Sequence, residues 1–377
     1  MKLSIAIAIL FGVNSLVAAT TIKGRTLKGS GRQLKKKKSK GPCPKRTAYK
    51  APASCNAYCY SDMTTLSNDI NLALLRPPGP TFTGTICSGT YVWPAAASVS
   101  GALANAKLEL SCCGSENSCV ITGETPSVTR STPLLAFTNP VHLILQGLSF
   151  ANIDSTAAGT LVYTDTPAVV EVKNVMVDSL TSSSQGGVFL FKRTDATIND
   201  SKFTNNKSVG DGGVIYANKT IIQMNGNAFA KNVAANNAGA LHIFDSTLLA
   251  TCNTFENNSA IGYGGAISGT YPHLQLTNNQ FLGNQAAEGG AVSMRFQAIV
   301  SIGNTYSMNV ATVQGGALFI KTGAGELVDD TFTLNSAPLN NGSDVYVLDS
   351  ALNYCNCPTL TPVTLNAVDS IALAQCF

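Results

Sequence analysis

The chain has 377 residues, 12% charged and 45% hydrophobic, enough for one large domain or two ordinary ones. Its net charge of +4 hides a segregation: residues 20–50 hold twelve of the 25 Lys and Arg and no acid, so the body from residue 51 is acidic. Beyond the first residues no stretch reaches the roughly eighteen apolar residues of a membrane span, which argues against a transmembrane segment and predicts a soluble mature protein.

In chain order, Lys2 is followed by an apolar run from Leu3 to Val17 that closes on Ala18 and Ala19. This is the pattern of a secretory signal peptide over residues 1–19, and it predicts an extracellular protein of the cell surface or cell wall, for which nucleic acid is not an expected partner. Residues 20–50 read as a basic disordered arm or propeptide. Its run "KKKKSK" (Lys35, Lys36, Lys37, Lys38, Ser39, Lys40) suits electrostatic attachment to an anionic polysaccharide, wall matrix, silica or phospholipid surface. The triplets "RTL" (Arg25 to Leu27) and "RQL" (Arg32 to Leu34) resemble processing sites of diatom cell-wall proteins, which implies cleavage after Leu34.

Residues 51–140 read as an N-terminal cap with irregular first coils. "TTLSNDINLALL" (Thr64 to Leu75) has helical spacing, while "TICSGTY" (Thr85 to Tyr91), "KLELSCC" (Lys107 to Cys113) and "CVITG" (Cys119 to Gly123) read as short strands. Seven of the eleven cysteines lie at the front: Cys43, Cys55, Cys59, Cys87, Cys112, Cys113 and Cys119. Three lie at the back (Cys355, Cys357, Cys376), and Cys252 stands between. In a secreted chain they imply disulfides. If the two groups sit at opposite ends of a long body they are too far apart to bridge. That predicts three bridges in the front cap, one in the back cap over residues 351–377, and three thiols left over, of which Cys43 on the basic tail is the one expected to pair with another molecule. Zinc is disfavoured because "CNC" and "CC" lack the usual ligand gap and a nearby His. No cofactor motif occurs.

Residues 141–350 repeat. Phe150, Val177, Phe203, Phe229, Phe255, Phe281, Tyr306 and Phe332 are equivalent, at gaps of 27, 26, 26, 26, 26, 25 and 26. Three residues after the last six come Asn206, Asn232, Asn258, Asn284, Asn309 and Asn335, and two before them come Ser201, Asn227, Asn253, Asn279, Asn304 and Asp330. A glycine pair follows, as at Gly264–Gly265 and Gly289–Gly290, thinning to Ala238–Gly239. Short alternating apolar runs between Gly and Asn clusters indicate strands. A unit with two or three such strands cannot bury its own apolar face, but stacked units can. The pattern therefore predicts an all-β, single-domain parallel β-helix with disulfide-stapled caps, an interior aromatic column and an Asn ladder.

The motif F-x-x-N followed by G-G-A-[ILV], as in "FENN…GGAI", "FLGN…GGAV" and "YSMN…GGAL", is similar to the repeats of chlamydial polymorphic outer-membrane proteins. It also resembles the wider pectin-lyase-like superfamily. The resemblance implies a right-handed helix and a surface location. Enzymes of that superfamily act on acidic polysaccharides, but their catalytic elements do not stand out here. "VDD" (Asp329, Asp330) is the only Asp pair, and Asp330 falls at the Asn position of the repeat.

Two functional readings follow. The first is non-catalytic glycan binding, adhesion or scaffolding. The second is a polysaccharide lyase, glycoside hydrolase or epimerase with an unfamiliar site. If Ile215, Leu241, Ile267, Val292 and Leu318 point inward, the row Tyr216, His242, Ser268, Ser293 and Phe319 points outward. With Asp245, Tyr271, Arg295 and Lys321 nearby, Tyr216 and His242 form the candidate ligand-binding set. Glycosylation sequons occur at Asn199, Asn206, Asn218, Asn257 and Asn341; Asn206 belongs to the ladder, and Asn218 and Asn257 are the better acceptors.

Overall fold

Each repeat becomes one winding. The strands Ile215–Asn218, Ile221–Asn225, Ala228–Ala230 and Val233–Ala234 make one coil, and Leu241–Phe244, Thr247–Thr251, Thr254–Glu256 and Ser259–Ala260 make the next. Equivalent strands pair in parallel and in register, so Ile222 opposes Leu248 and Phe229 opposes Phe255. The computed structural model describes residues 43–375 apart from 44, 47, 53–57, 76–78, 101–104, 125–127, 340 and 356–373. The signal segment, the lysine run, Cys55, Cys357 and Cys376 lie outside the described residues.

Among the described residues the windings build three sheets of twenty, ten and seven strands. The ten-stranded sheet takes one strand from each coil, and the fold is a parallel β-solenoid of about ten turns. The largest sheet takes two tandem strands per coil, which run on as single strands in Val162–Lys173 and Phe189–Asn199.

A strand can bend sharply at a single residue in the left-handed region, which Gly, Asn and Asp tolerate best. The chain uses this device in columns. Asn174, Asp200, Gly226, Cys252, Asn278, Gly303 and Asp329 all have positive φ, as do Asn205, Lys231, Asn257, Gly283, Met308 and Leu334 in another column. The glycine pair has two separate causes. Gly264 has φ +63, whereas a Cβ on Gly265 would meet the Gly290 carbonyl oxygen of the next coil at 2.2 Å. The first glycine makes the corner, and the second lets neighbouring coils touch there.

The interior is a file of rings. Phe203, Phe229, Phe255, Phe281, Tyr306 and Phe332 stack with centroids 4.9–5.0 Å apart and planes within 12°. Each is buried, and each such ring contributes about 1.5–3 kcal/mol of transfer free energy.

Beside the rings run two polar columns. Asn258 Nδ2 donates to the Phe229 carbonyl at 2.9 Å and to Asn284 Oδ1 at 3.0 Å, while its Oδ1 accepts from the Asn232 backbone N–H and Nδ2. The same bonds link Asn206, Asn232, Asn284, Asn309 and Asn335. At the foot, Asn335 Nδ2 donates to Asp344 Oδ1. An amide suits this place because it both accepts and donates where the chain leaves one sheet for another. The second column, Asn227, Asn253, Asn279 and Asn304, ends on Asp330, whose Oδ1 accepts from the Asn304 backbone N–H at 2.7 Å.

The helix Met63–Leu74, N-capped by the Asp62 carboxylate, buries Met63, Leu66, Ile70 and Leu74 in the same core. Leu66 and Leu110 crowd Gly84 so closely that a Cβ there would lie about 3 Å from both. The disulfides Cys59–Cys87 and Cys112–Cys119 staple this region, and Cys113 and Cys355 are also disulfide-bonded. One expectation is overturned. Cys43 pairs within the chain, with Cys252, across 209 residues of sequence. The segment around Cys43 runs back along the outside of the coils, so a front cysteine and a mid-solenoid cysteine meet.

Asn258→Ala is expected to cost about 3 kcal/mol or more in chemical denaturation, because it strands several buried donors and acceptors. Glu256→Ala, on an exposed residue two positions earlier, is expected to stay within about 0.5 kcal/mol. Asp330 gives a pH signature. Burial lifts its carboxyl from 3.8 to about 7, against hydrogen bonds from its neighbours that favour the anion. The neutral form therefore stabilises the fold fully below pH 4, and this contribution is lost as pH rises through about 7. At about 1.4 kcal/mol per unit the difference is roughly 4 kcal/mol. Asp330→Asn is expected to be near neutral at pH 4 and to raise the melting temperature at pH 8.

Candidate functional site

The row Tyr216, His242, Ser268, Ser293, Phe319 and Tyr346 is in register through six successive coils. Its members turn away from the core formed by Ile215, Leu241, Ile267, Val292 and Leu318, as alternation requires. They do not face solvent. His242, Ser268, Ser293 and Phe319 are buried, and Tyr216 is half-buried. The loops that join the third sheet back to the first lie against this face. Asp211, on one of them, acts electrostatically on both Tyr216 and His242. Tyr263, on the return loop two coils further on, and Glu288, at the end of the strand Gln285–Glu288 one coil after that, hold Arg295. A two-residue period reads which way a side chain points, but not that the loop leading into the strand, or one from a neighbouring coil, folds over it.

Burial sets the chemistry of the row. Tyr216 stacks on His242 with centroids 5.4 Å apart. Desolvation pushes the His242 imidazole below its ordinary value, outweighing Asp211, so it is neutral at physiological pH. Desolvation pushes the Tyr216 phenol up. His242 Nδ1 and Ser293 Oγ are buried without a hydrogen-bond partner among the described residues.

Arg295 is clamped. Its guanidinium lies 3.6 Å from the Tyr263 ring centroid and 5.3 Å from that of Phe319, and it pairs with Glu288. Lys321, its register partner one coil on, is half-buried.

The remaining two expected residues sit at a corner. Asp245, Tyr271 and Phe296 occupy the same left-handed position in successive coils, with φ of 45°, 54° and 68°. Bulky residues are uncommon there, and here the backbone is held by coil-to-coil bonds: Tyr271 N–H to the Arg295 carbonyl and Phe296 N–H to the Lys321 carbonyl, both 2.9 Å. The left-handed geometry throws the side chains outward. Tyr271 and Phe296 are 46% and 40% exposed and stack with centroids 5.0 Å apart and planes 23° from parallel. Phe244 meets the Tyr271 ring edge-on at 6.4 Å. Three aromatic residues thus form a step at this corner, with Asp245 at the equivalent position one coil before Tyr271 and Lys321 accepting the Phe296 N–H at its carbonyl one coil after.

Of the six expected ligand residues, the structure brings Asp245 and Tyr271 together at the corner, with Lys321 and Arg295 on the adjoining strand ends. It sets Tyr216 and His242 apart, under cover. The sequence pattern does not mark Phe244 and Phe296 as members of the corner, although one repeat added to Tyr271 lands on Phe296. Among the sequon residues, Asn257 is exposed, Asn199, Asn218 and Asn341 are half-buried, and Asn206 is buried in the ladder.

The coil geometry now stands beside a family match. The Chlamydia polymorphic membrane protein (Chlamydia_PMP) repeat matches residues 200–218 and 254–270. The repeats are similar to those of that surface and outer-membrane family. Both matched stretches carry the F-x-x-N turn or the strand after the glycine pair, so the likeness lies in the coil-forming residues. No curated protein and no solved structure matches the chain. Together, the repeats and the parallel β-solenoid they build are similar to what that family's repeat pattern leads one to expect. Among the described residues no helix is long and apolar enough to cross a membrane.

The clamp makes a measurable expectation. With side chains 15% and 21% exposed, Glu288→Ala leaves the Arg295 charge poorly solvated and is expected to cost about 2 kcal/mol in denaturation. Adding Arg295→Met is expected to recover most of that loss.

Proposed function

We propose that this protein is secreted to a cell surface or wall and binds glycan there without catalysis, through the aromatic corner Phe244, Tyr271 and Phe296. One observation carries the reading: two stacked, outward-facing rings on a rigid corner. A pyranose presents an apolar face of C–H groups rimmed by hydroxyls. An exposed ring stacks on that face, and nearby Asp245 and Lys321 supply an acceptor and a donor for the rim. Most exposed apolar side chains on a soluble protein stand singly and need no explanation. This group is contiguous, and the backbone holds it in an uncommon conformation.

The rigidity of the support favours recognition. Each corner residue is held by hydrogen bonds to the coil behind it, so little conformational freedom is lost when a sugar docks. The basic run Lys35–Lys40 serves in this reading as a second, electrostatic attachment to anionic wall polymer or mineral. Asn257 is the sequon residue positioned to carry a glycan of its own.

A glycan array probed with the full chain is the test, followed by titration of the ligands found. Tyr271→Ala and Phe296→Ala are each expected to weaken binding about tenfold, the worth of about 1.4 kcal/mol. His242→Ala is expected to leave affinity unchanged in whatever fraction folds. A blank array, or binding unaffected by both corner substitutions, overturns the proposal. Release of unsaturated or reducing ends from pectin, alginate or galacturonan would replace it with the enzymatic reading.

A further inference from the structure

The described residues 43, 45, 46, 48 and 49 lie as a strap across the outside of the coils. At one end Cys43 is bonded to Cys252, and its Sγ lies 3.7 Å from the Asn278 carbonyl oxygen. Further along, the Arg46 guanidinium donates to the Asp200 carbonyl and pairs with Glu116. At the other end Tyr49 donates to the Cys112 carbonyl, and its ring covers Gly147, where a Cβ would lie 2.4 Å from it. Gly147, Asn174, Asp200, Gly226, Cys252 and Asn278 are one corner of successive coils. At about 4.8 Å per coil, Gly147 to Cys252 is roughly 19 Å, a distance within the reach of six residue steps. The strap therefore runs along the solenoid axis, counter to the order in which the coils are laid down.

Its disulfide differs from the other two whose partners are described. Cys112 and Cys119 are fully buried, and Cys59 and Cys87 are half-buried in the cap. Cys43 is exposed and Cys252 half-buried. The bond opens onto a cavity of about 330 Å³ lined by Lys45, Arg46, Asp200, Asn225 and Gly226. Access to sulfur decides which disulfide an external thiolate attacks. Cys252 also takes a left-handed corner position, φ 58, that neighbouring coils fill with Gly, Asn or Asp. None of the ring stacking or the Asn columns that hold coil to coil involves the strap.

We propose that Cys43–Cys252 is a thiol-exchangeable latch, opened by a small external thiol that enters this cavity and releases the strap while the solenoid stays wound. The thiolate sulfur bonds to Cys43 Sγ as the Cys43–Cys252 bond breaks. Cys252 leaves as a thiolate and takes a proton from water. A second external thiolate then attacks the external sulfur of the mixed disulfide and frees Cys43. The protein disulfide gains two electrons, and two external thiols become one disulfide. Once the bond is open, the Arg46 contacts remain, and its ion pair with Glu116 has an exposed arginine partner, 49% in its side chain. Such pairs hold weakly. Tyr49, anchored against the core, marks where release stops.

The test treats the full-length oxidised protein with graded dithiothreitol under native conditions, followed by alkylation and peptide mass spectrometry. Cys43 and Cys252 are expected to label at least tenfold faster than Cys59, Cys87, Cys112 and Cys119. Hydrogen exchange at that stage is expected to rise in residues 45–46 and the Asp200 corner and to stay unchanged in strands Ala228–Ala230 and Thr254–Glu256. Equal labelling rates for all the disulfides overturn the proposal. So does loss of protection in those strands as soon as Cys43 and Cys252 open, because the bond would then be structural cement and not a latch.

Discussion

The backbone hydrogen bond between one coil and the next is the constraint on which everything else rests. It sets a spacing of about 4.8 Å and holds each residue over its equivalent. Once the spacing is given, side chains can interact only with their own kind above and below. Flat rings do this well, because a slight offset lets faces pack without repulsion. Amides also do it well, because each can donate upward and accept from below. Charged residues do it badly, since like charges would stack at close range. The interior columns of Phe, Asn and small residues are thus consequences of the pitch, and the single acid in the second Asn column sits at its end.

The same constraint makes the corners informative. Repeating left-handed positions occur in register, and in most coils they carry Gly, Asn or Asp, as the backbone prefers. Several corners depart from that preference, Lys231, Met308 and Leu334 among them. At two of the departures a second interaction holds the residue: Cys252 is tied to Cys43, and Tyr271 and Phe296 stack on one another at the surface. These two are the strap and the aromatic step.

The outer face of the largest sheet shows the opposite behaviour. Its row of Tyr216, His242, Ser268 and Ser293 has the polar character of a solvated surface, yet loops lie over it. The polar groups there are arranged for burial. Tyr216 stacks on His242, and Arg295 is neutralised by Glu288 between two aromatic rings. A neutral imidazole and a compensated guanidinium both fit a region from which water is largely excluded.

Much of this architecture is a property of the amino-acid sequence by itself. The period, the Phe and Asn columns, the glycine pairs and the helix before the first coil all follow from local patterns that repeat or have a helical spacing, and the solenoid follows from them because only stacking buries those faces. What the tertiary structure alone decided lacks a period. The strap belongs to no repeat, so nothing in the sequence couples Cys43 to Cys252 across 209 residues. The covering of His242 depends on how the loops that return from the third sheet fold over a face, which the alternation of the strands does not encode. The aromatic step lies between: Tyr271 and Phe296 are one repeat apart, but their outward direction comes from a left-handed backbone that bulky residues adopt only when neighbouring coils hold them there.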